Sequence, residues 1–182
     1  MIYVALLRGI NVGGKNKVDM KELKAAFEDA GMTSVTTYIN SGNVIFSSRL
    51  RNRTNLAARL EEAIETRFGF SVKVLVRTLE DMRTVVGALD PEWVNDKAMK
   101  CDVMFLWEDV DRPDVLDDLT LKPAIDVVRY APGAIVWKVD SNKVTKSGMM
   151  KLVGTPLYKR MTIRNCNTTR KLLELMESAA ER

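Results

Sequence analysis

The residues best suited to chemistry lie in one stretch, residues 8–17, between an apolar run and the start of an amphipathic helix. This stretch contains three glycines, two asparagines and three cations. Glycine-rich turns can direct backbone N–H groups toward one point, and cationic side chains surround that point with positive charge. We therefore predict an anion-binding loop. Its ligand contacts would come from two cations, two glycine amides and one asparagine: Arg8, Lys15, Gly13, Gly14 and Asn11.

The same stretch nearly matches the P-loop of nucleotide-hydrolysing enzymes, because Gly9 to Lys15 follows the pattern G-x-x-x-x-G-K. However, Asn16 stands where a hydroxyl side chain would hold magnesium. The helix is also expected to begin only near Asp19, and a hairpin at residues 40–43 does not suit a parallel P-loop sheet. Two interpretations stay open beside the P-loop: phosphate binding on another fold, and a tight loop with Lys15 and Lys17 in solvent.

A second candidate stretch, residues 40–43, joins two runs rich in β-branched residues and is typical of a hairpin turn. In a functional interpretation, Asn40 and Ser41 would give neutral hydrogen bonds to a ligand held by the first loop. Because the chain has no histidine, Ser41 as a nucleophile would need activation by a lysine. Turn formation alone also explains these residues, so both interpretations stay open.

The residue inventory excludes several kinds of chemistry. Without histidine, neither Ser-His-Asp nor Cys-His catalysis is available, and the commonest zinc and iron ligand is missing. The two cysteines, Cys101 and Cys166, favour a reducing cytoplasm over a disulfide scaffold. We expect Cys101 in the core and Cys166, which lies among polar residues, at the surface. We predict no metal and no cofactor, and we assign no catalytic residue.

Length and hydropathy are those of an ordinary globular protein. The chain has 182 residues, of which 46% are hydrophobic and 29% are charged. Its apolar runs are shorter than the roughly 20 residues that span a bilayer. The N-terminal residues lack the basic and cleavage-site features of a signal peptide. We therefore expect a cytoplasmic protein without membrane association.

The net charge of +4 is unevenly distributed. Residues 90–118 carry ten acids against three bases, whereas residues 138–171 carry nine bases against one acid. A basic half could bind the backbone of a nucleic acid, which makes a nucleic-acid-associated protein the alternative function. Charge complementarity within the chain explains the same pattern.

Periodicity and turn residues define the expected fold. The first half is expected to contain, in order, an apolar strand, a helix capped by Asp19, two strands, a helix that ends at Gly69 and a further strand. The second half repeats this order, with a short helix predicted at Pro113–Leu119. Two tandem β-α-β-β-α-β units predict an α+β, duplicated ferredoxin-like architecture with antiparallel sheets. We predict a first unit at 1–78, a linking helix and linker at 79–99, and a second unit with a C-terminal helix at 100–182.

This topology would place the two candidate loops together. In a ferredoxin-like unit the first two strands run in the same direction, so the loop after the first strand and the hairpin after the second lie at one end of the sheet. Some ferredoxin-like domains bind RNA by stacking bases on sheet aromatics. Here Tyr3 and Phe46 belong to strands that are apolar on both faces, which does not suit an exposed stacking surface.

A third candidate pair, Arg164 and Asn165, lies near the start of the last helix. These residues could add a cation and an amide to the anion site from the second half. They could equally belong to a capped helix start, with Asn167 or Thr168 as the capping residue.

Three motifs carry a resemblance to a known family: RGINVGGKNKV at 8–18, TYINSGNVIF at 37–46 and TIRNCNT at 162–168. The chain resembles the bacterial domain-of-unknown-function 1697 family over nearly its whole length. The resemblance implies a cytoplasmic bacterial protein of duplicated ferredoxin-like fold and implies no reaction. Ile163 stands where the family usually has Thr, and Cys166 where it usually has Trp. The family pattern maps onto Arg8, Gly9, Asn11, Gly13, Tyr38, Ser41, Gly42, Asn43, Arg164 and Asn165.

Overall fold

The structure is a computed structural model that describes residues 1–181. Within these residues the chain divides into two compact units. The first comprises Met1–Leu79 and the part of the chain that begins at Leu172, and the second comprises Glu80–Lys171.

The first unit has the strand order of a ferredoxin-like fold. Its four strands form one antiparallel sheet in the order β2-β3-β1-β4, and its two helices connect β1 to β2 and β3 to β4. The elements are β1 (Ile2–Leu7), α1 (Met20–Asp29), β2 (Thr33–Tyr38), β3 (Asn43–Ser47), α2 (Arg53–Phe68) and β4 (Val74–Thr78).

Burial and capping explain why these elements form where they do. Five residues of β1 are fully buried, on both of its faces, as a strand without a polar face requires. Asp19 caps α1 by accepting hydrogen bonds from the N–H groups of Lys21 and Glu22. Gly69 ends α2 in the left-handed conformation, with φ of 76°. The rings of Tyr3 and Phe46 stack 5.6 Å apart in the core, so they offer no surface for bases.

The second unit repeats the strand order. Its antiparallel sheet has the order β6-β7-β5-β8, with β5 in a central position between β7 and β8. The predicted duplicated α+β fold with two four-stranded antiparallel sheets is therefore confirmed. The remaining elements of the chain are α3 (Leu79–Gly87), β5 (Met99–Leu106), β6 (Val127–Ala131), β7 (Ala134–Asp140), β8 (Met161–Asn165) and α4 (Cys166–Ala180), of which the residues of α4 from Leu172 onward belong to the first unit.

The connections of the second unit differ from the prediction. The expected helix at Pro113–Leu119 is a 3₁₀ helix over Pro113–Asp118, and β7 is joined to β8 by three 3₁₀ segments. Both connections lack a long stripe of apolar residues at helical spacing, and 3₁₀ geometry is used in short pieces. The second unit therefore keeps the sheet while its two connecting α-helices are replaced by shorter turns.

Strand β2 lies at one edge of the first sheet and is irregular. Its pairing with β3 shifts register between Thr33 and Thr36, and Ser34 has a φ of 52°. Thr33, Ser34 and Thr36 are exposed. The irregularity bends this outer edge away from an ideal strand.

Candidate functional site

The glycine-rich loop folds as a miniature hairpin. The N–H of Asn11 donates to the carbonyl of Asn16 at 3.1 Å, and the N–H of Lys15 donates to the carbonyl of Val12 at 3.1 Å. Gly13 and Gly14 form the tip with φ values of 59° and 76°, the signature of a type I′ turn. Two of the loop amides thus bond to carbonyls of the loop itself. This hairpin, next to an antiparallel sheet, does not have the geometry of a P-loop.

Asn11 fastens the hairpin to its surroundings. Its Nδ2 donates to the carbonyl of Val18 at 3.0 Å and to the carbonyl of Asn40 at 2.9 Å. Its Oδ1 accepts from the N–H of Val18 at 2.8 Å. The predicted neighbourhood of the two candidate loops is therefore confirmed. Because all these side-chain bonds go to backbone groups, Asn11 holds the loops in place and has a supporting role.

We expect the Asn11→Ala change to lower the free energy of unfolding by about 3 kcal/mol, because it removes three hydrogen bonds to backbone groups and places alanine in a left-handed conformation. Asn16→Ala is the matched control. Asn16 also has a positive φ, 49° against 54° for Asn11, but its side chain makes one exposed bond, to the carbonyl of Gly9 at 3.2 Å. The control should lose about 1 kcal/mol, mainly from alanine in a left-handed conformation. Urea unfolding measures both values, and equal losses would contradict the fastening role.

The hairpin at residues 40–43 uses its own polar groups for the turn. Asn43 is fully buried, and its Nδ2 donates to the carbonyl of Tyr38 and to Oγ of Ser41, both at 3.1 Å. Ile39 precedes the turn in a left-handed conformation, with φ of 49°, and is half exposed. A β-branched residue is strained in this region. The hydroxyl oxygen of Ser41 therefore accepts a hydrogen bond within the turn itself.

A cleft of about 840 Å³ opens beside the hairpin and the start of α1. Three predicted site residues line it, Asn11, Gly14 and Asn40. Its described lining does not include the predicted cations Arg8 and Lys15. Instead, the lining contains two further cations, one carboxylate and three apolar residues: Lys17, Lys21, Asp19, Val18, Met20 and Phe68.

The positive charge of this cleft comes from residues that the sequence did not single out as ligand contacts. Lys17 follows the miniature hairpin, and Lys21 lies in the first turn of α1. The carboxylate of Asp19 accepts from the N–H groups of Lys21 at 2.8 Å and Glu22 at 3.1 Å, so it is engaged as the helix cap. Two lysines against one carboxylate leave the lining with a net positive charge. The available signal was the position of Lys17 at the end of the loop and of Lys21 in the helix turn that follows it.

Another cleft of the first unit, of about 510 Å³, is lined by acids as well as bases. Arg67 contributes to it and pairs with Asp29 at 2.5 Å and Glu22 at 2.8 Å. These two ion pairs neutralise the positive charge of Arg67. The cleft beside the hairpin is therefore the better candidate for an anionic ligand.

Arg164 and Asn165 lie in the second unit. Arg164 is buried, and its Nη1 donates to Oγ1 of Thr162 at 3.0 Å and to the carbonyl of Ile163 at 2.8 Å. Burial lowers the pKa of Arg164 to about 10, which leaves it charged at neutral pH. Asn165 caps α4, because its Oδ1 accepts from the N–H of Thr168 at 2.8 Å. The capping role expected for Asn167 or Thr168 thus belongs to Asn165, and a role of this pair in anion binding stays a prediction.

Many bases of the second unit already have intramolecular partners. Arg160 makes a two-pronged ion pair with Asp109, at 2.8 and 2.5 Å. Asp140 pairs with Lys138 at 2.9 Å and Lys143 at 3.0 Å. These contacts favour charge complementarity within the chain as the reason for its uneven charge, and they leave fewer cations for a nucleic-acid groove.

Residues 1–181 contain no cluster of three or more His, Cys, Asp or Glu side chains placed to hold a metal ion. In the same residues, none of the helices is both long and apolar enough to cross a membrane.

Comparisons with known proteins point to one family. The sequence profile of a family described as "Protein of unknown function (DUF1697)" matches residues 1–137. A solved structure, described as a conserved bacterial protein SP0830 from Streptococcus pneumoniae, is similar with a TM-score of 0.81 and 33% sequence identity. The similarity covers 96% of this chain and 98% of that one. A comparison with proteins of curated function gives no match.

Proposed function

We propose that this chain, which belongs to the family of proteins of unknown function DUF1697, is a ligand-binding protein. Its first unit binds a small phosphate-bearing ligand in the cleft beside the miniature hairpin. Lys17 and Lys21 attract the phosphate, the side chain of Asn40 offers neutral hydrogen bonds, and Asn11 keeps the two loops in register. The observation that carries this proposal is the presence of both lysines in one cleft of about 840 Å³.

The apolar part of the lining narrows the ligand class. Val18, Met20 and Phe68 share the cleft with the two lysines, and the ring of Phe68 lies 6.2 Å from the ring of Phe70. Ligand sites typically combine apolar and aromatic walls with a few placed polar groups, in volumes of roughly 300–1,000 Å³. A ligand with a phosphate and an aromatic or other apolar portion, such as a mononucleotide, fits this combination better than phosphate alone.

Calorimetric titration with ADP tests the proposal. We expect Lys17→Ala and Lys21→Ala each to raise the Kd about tenfold, because each removes a charge-assisted contact to phosphate. Lys24→Ala is the matched control, since Lys24 lies on the same helix, faces Glu28 at 3.8 Å and does not line the cleft. Its Kd should change less than about twofold. An equal loss in all three variants would contradict a defined site.

The titration also separates ligand classes. Phe68→Leu should weaken ADP about fivefold and leave orthophosphate unchanged if the aromatic wall contacts the base. Absence of binding by both ligands at millimolar concentration would reject the proposal. Tighter binding of an oligonucleotide than of ADP, with a steep loss of affinity in salt, would instead support the nucleic-acid alternative.

A further inference from the structure

The two cysteines of the chain lie side by side at the same end of two neighbouring strands of the second sheet. Cys101 lies in β5, and Cys166 is the first residue of α4, directly after β8. The last pair of the β5–β8 ladder is Asp102 opposite Asn165, and Cys101 and Cys166 adjoin this pair at the same end of the two antiparallel strands. Both thiols are reduced and fully buried. The expected exposure of Cys166 is therefore wrong, because pairing of β8 with β5 carries it into the interior.

This placement suits a bond between the two sulfurs. Facing residues of antiparallel strands have Cα atoms roughly 4.5–5.5 Å apart. Disulfides span Cα separations of roughly 4.4–6.8 Å. The two sulfurs are near enough that each cysteine shifts the pKa of the other. The thiol of Cys166 donates to the carbonyl of Trp93 at 3.6 Å and to Oδ1 of Asn167 at 3.5 Å. A disulfide could thus form with small side-chain rotations and little movement of the strands.

The surroundings make the two sulfurs chemically unequal. The interaction with Cys101 lowers the pKa of Cys166 and outweighs its burial, and the positive charge of Arg170 acts in the same direction. The same interaction, together with burial, raises the pKa of Cys101. Arg170 is held in place by the carbonyls of Trp93, at 2.5 Å, and Asp90, at 2.8 Å. Cys166 also lies at the N-terminus of α4, where helices favour a thiolate.

We propose that Cys101 and Cys166 are a redox-active pair that closes to an intramolecular disulfide when it reacts with a small peroxide. The thiolate of Cys166 attacks one oxygen of hydrogen peroxide, so an S–O bond forms, the O–O bond breaks and hydroxide leaves. The sulfur of Cys101 then attacks the sulfenic sulfur of Cys166. The S–S bond forms, the S–O bond breaks, and the thiol proton leaves with the hydroxyl as water. Two electrons pass from the thiols to the peroxide.

The burial of both sulfur atoms restricts which oxidants can reach them. Both sulfurs have no exposed surface, so a bulky disulfide such as oxidised glutathione must wait for local opening of the sheet. Hydrogen peroxide is small and uncharged and needs less opening. We therefore expect peroxide to oxidise the pair at least tenfold faster than oxidised glutathione at equal concentration.

The full-length native protein is the test material. After treatment with hydrogen peroxide, the titre of free thiols in denaturant should fall from two to none, with a mass loss of about 2 Da. A peptide map without reductant should contain one cross-linked pair that joins Cys101 to Cys166. Retention of both thiols, sulfinic acid on either cysteine, or dimers linked through these residues would overturn the proposal.

Single variants test the order of events. In Cys101→Ser the sulfenic acid on Cys166 has no thiol partner, while the hydroxyl keeps a polar donor beside it, so a 1,3-diketone probe should label Cys166, whereas the native protein should stay unlabelled. In Cys166→Ala the remaining thiol of Cys101 should not be labelled under the same conditions. Labelling of Cys101 in that variant, or none of Cys166 in the first, would contradict the assigned roles. Circular dichroism of each variant establishes that it is folded before treatment.

Discussion

Replacement of Asp126 by alanine is expected to lower the free energy of unfolding by about 3–5 kcal/mol. The carboxylate is buried and accepts four hydrogen bonds from separate segments of the second unit. Its donors are the N–H of Lys122 at 2.9 Å, Nε1 of Trp137 at 3.1 Å, the hydroxyl of Ser147 and the N–H of Gly148 at 3.0 Å. Alanine leaves these donors in the interior without their acceptor. Urea unfolding followed by circular dichroism measures the loss.

Asp117→Ala is the control for this prediction. Asp117 lies in a 3₁₀ helix of the same unit and is exposed, so its removal should change the free energy of unfolding by less than about 0.5 kcal/mol. Similar losses in both variants would show that negative charge in this region, and not the bonded network, stabilises the unit.

The contribution of Asp126 should depend on pH. Burial raises its pKa, but the hydrogen bonds from Ser147, Lys122, Gly148 and Trp137 outweigh burial, so the pKa lies below its ordinary value. A carboxylate with a lowered pKa stabilises the folded state above its ordinary pKa, and this contribution is lost as the pH falls through the folded pKa. The stability difference between the native protein and Asp126→Ala should therefore be full near about pH 7 and smaller near about pH 3. A constant difference would contradict this assignment.

The Gly42→Ala change is expected to cost about 2–4 kcal/mol in the first unit. Gly42 has a φ of 74°, where an alanine is strained. A Cβ at this position would also lie 2.7 Å from Cβ of Leu7 and 2.8 Å from Cδ1 of Ile10. Leu7 belongs to the central strand and Ile10 is buried, so neither can move without disturbing the core.

The Gly69→Ala change separates the cost of backbone strain from the cost of a steric clash at the new Cβ. Gly69 has nearly the same φ, 76°, but a Cβ there would meet no atom within 4 Å. This variant should lose only about 1 kcal/mol, and the difference between the two variants measures the close contact beneath the hairpin. Equal losses by urea unfolding would show that the hairpin relaxes freely around Gly42.

Much of the fold follows from local patterns in the sequence. The unbroken apolar run of β1, the cap at Asp19 and the stop at Gly69 are short-range signals, and each defines an element that the structure contains. The 3₁₀ segments between β7 and β8 follow no such signal. Their conformation depends on anchors distant in sequence, such as the bonds from Ser147 and Gly148 to Asp126.

The candidate site was predictable in part. Glycines and asparagines locate the loop, and the fold places it beside residues 40–43. The Val12–Lys15 bridge and the first turn of α1 determine which cations line the cleft. As a result, Lys17 and Lys21 line it and Lys15 does not. The burial of Cys166 depends in the same way on the register of β8 against β5, which composition does not reveal.

The irregular outer strand of the first sheet has a consequence for self-association. A straight, exposed strand offers its unpaired N–H and C=O groups as a template on which another molecule can add a strand. The register shift between Thr33 and Thr36, with Ser34 in a left-handed conformation, interrupts that row of groups. Strand β2 is therefore a poor site for a strand of another molecule to pair with. In a concentrated solution, this protects the protein from aggregation by strand addition at β2.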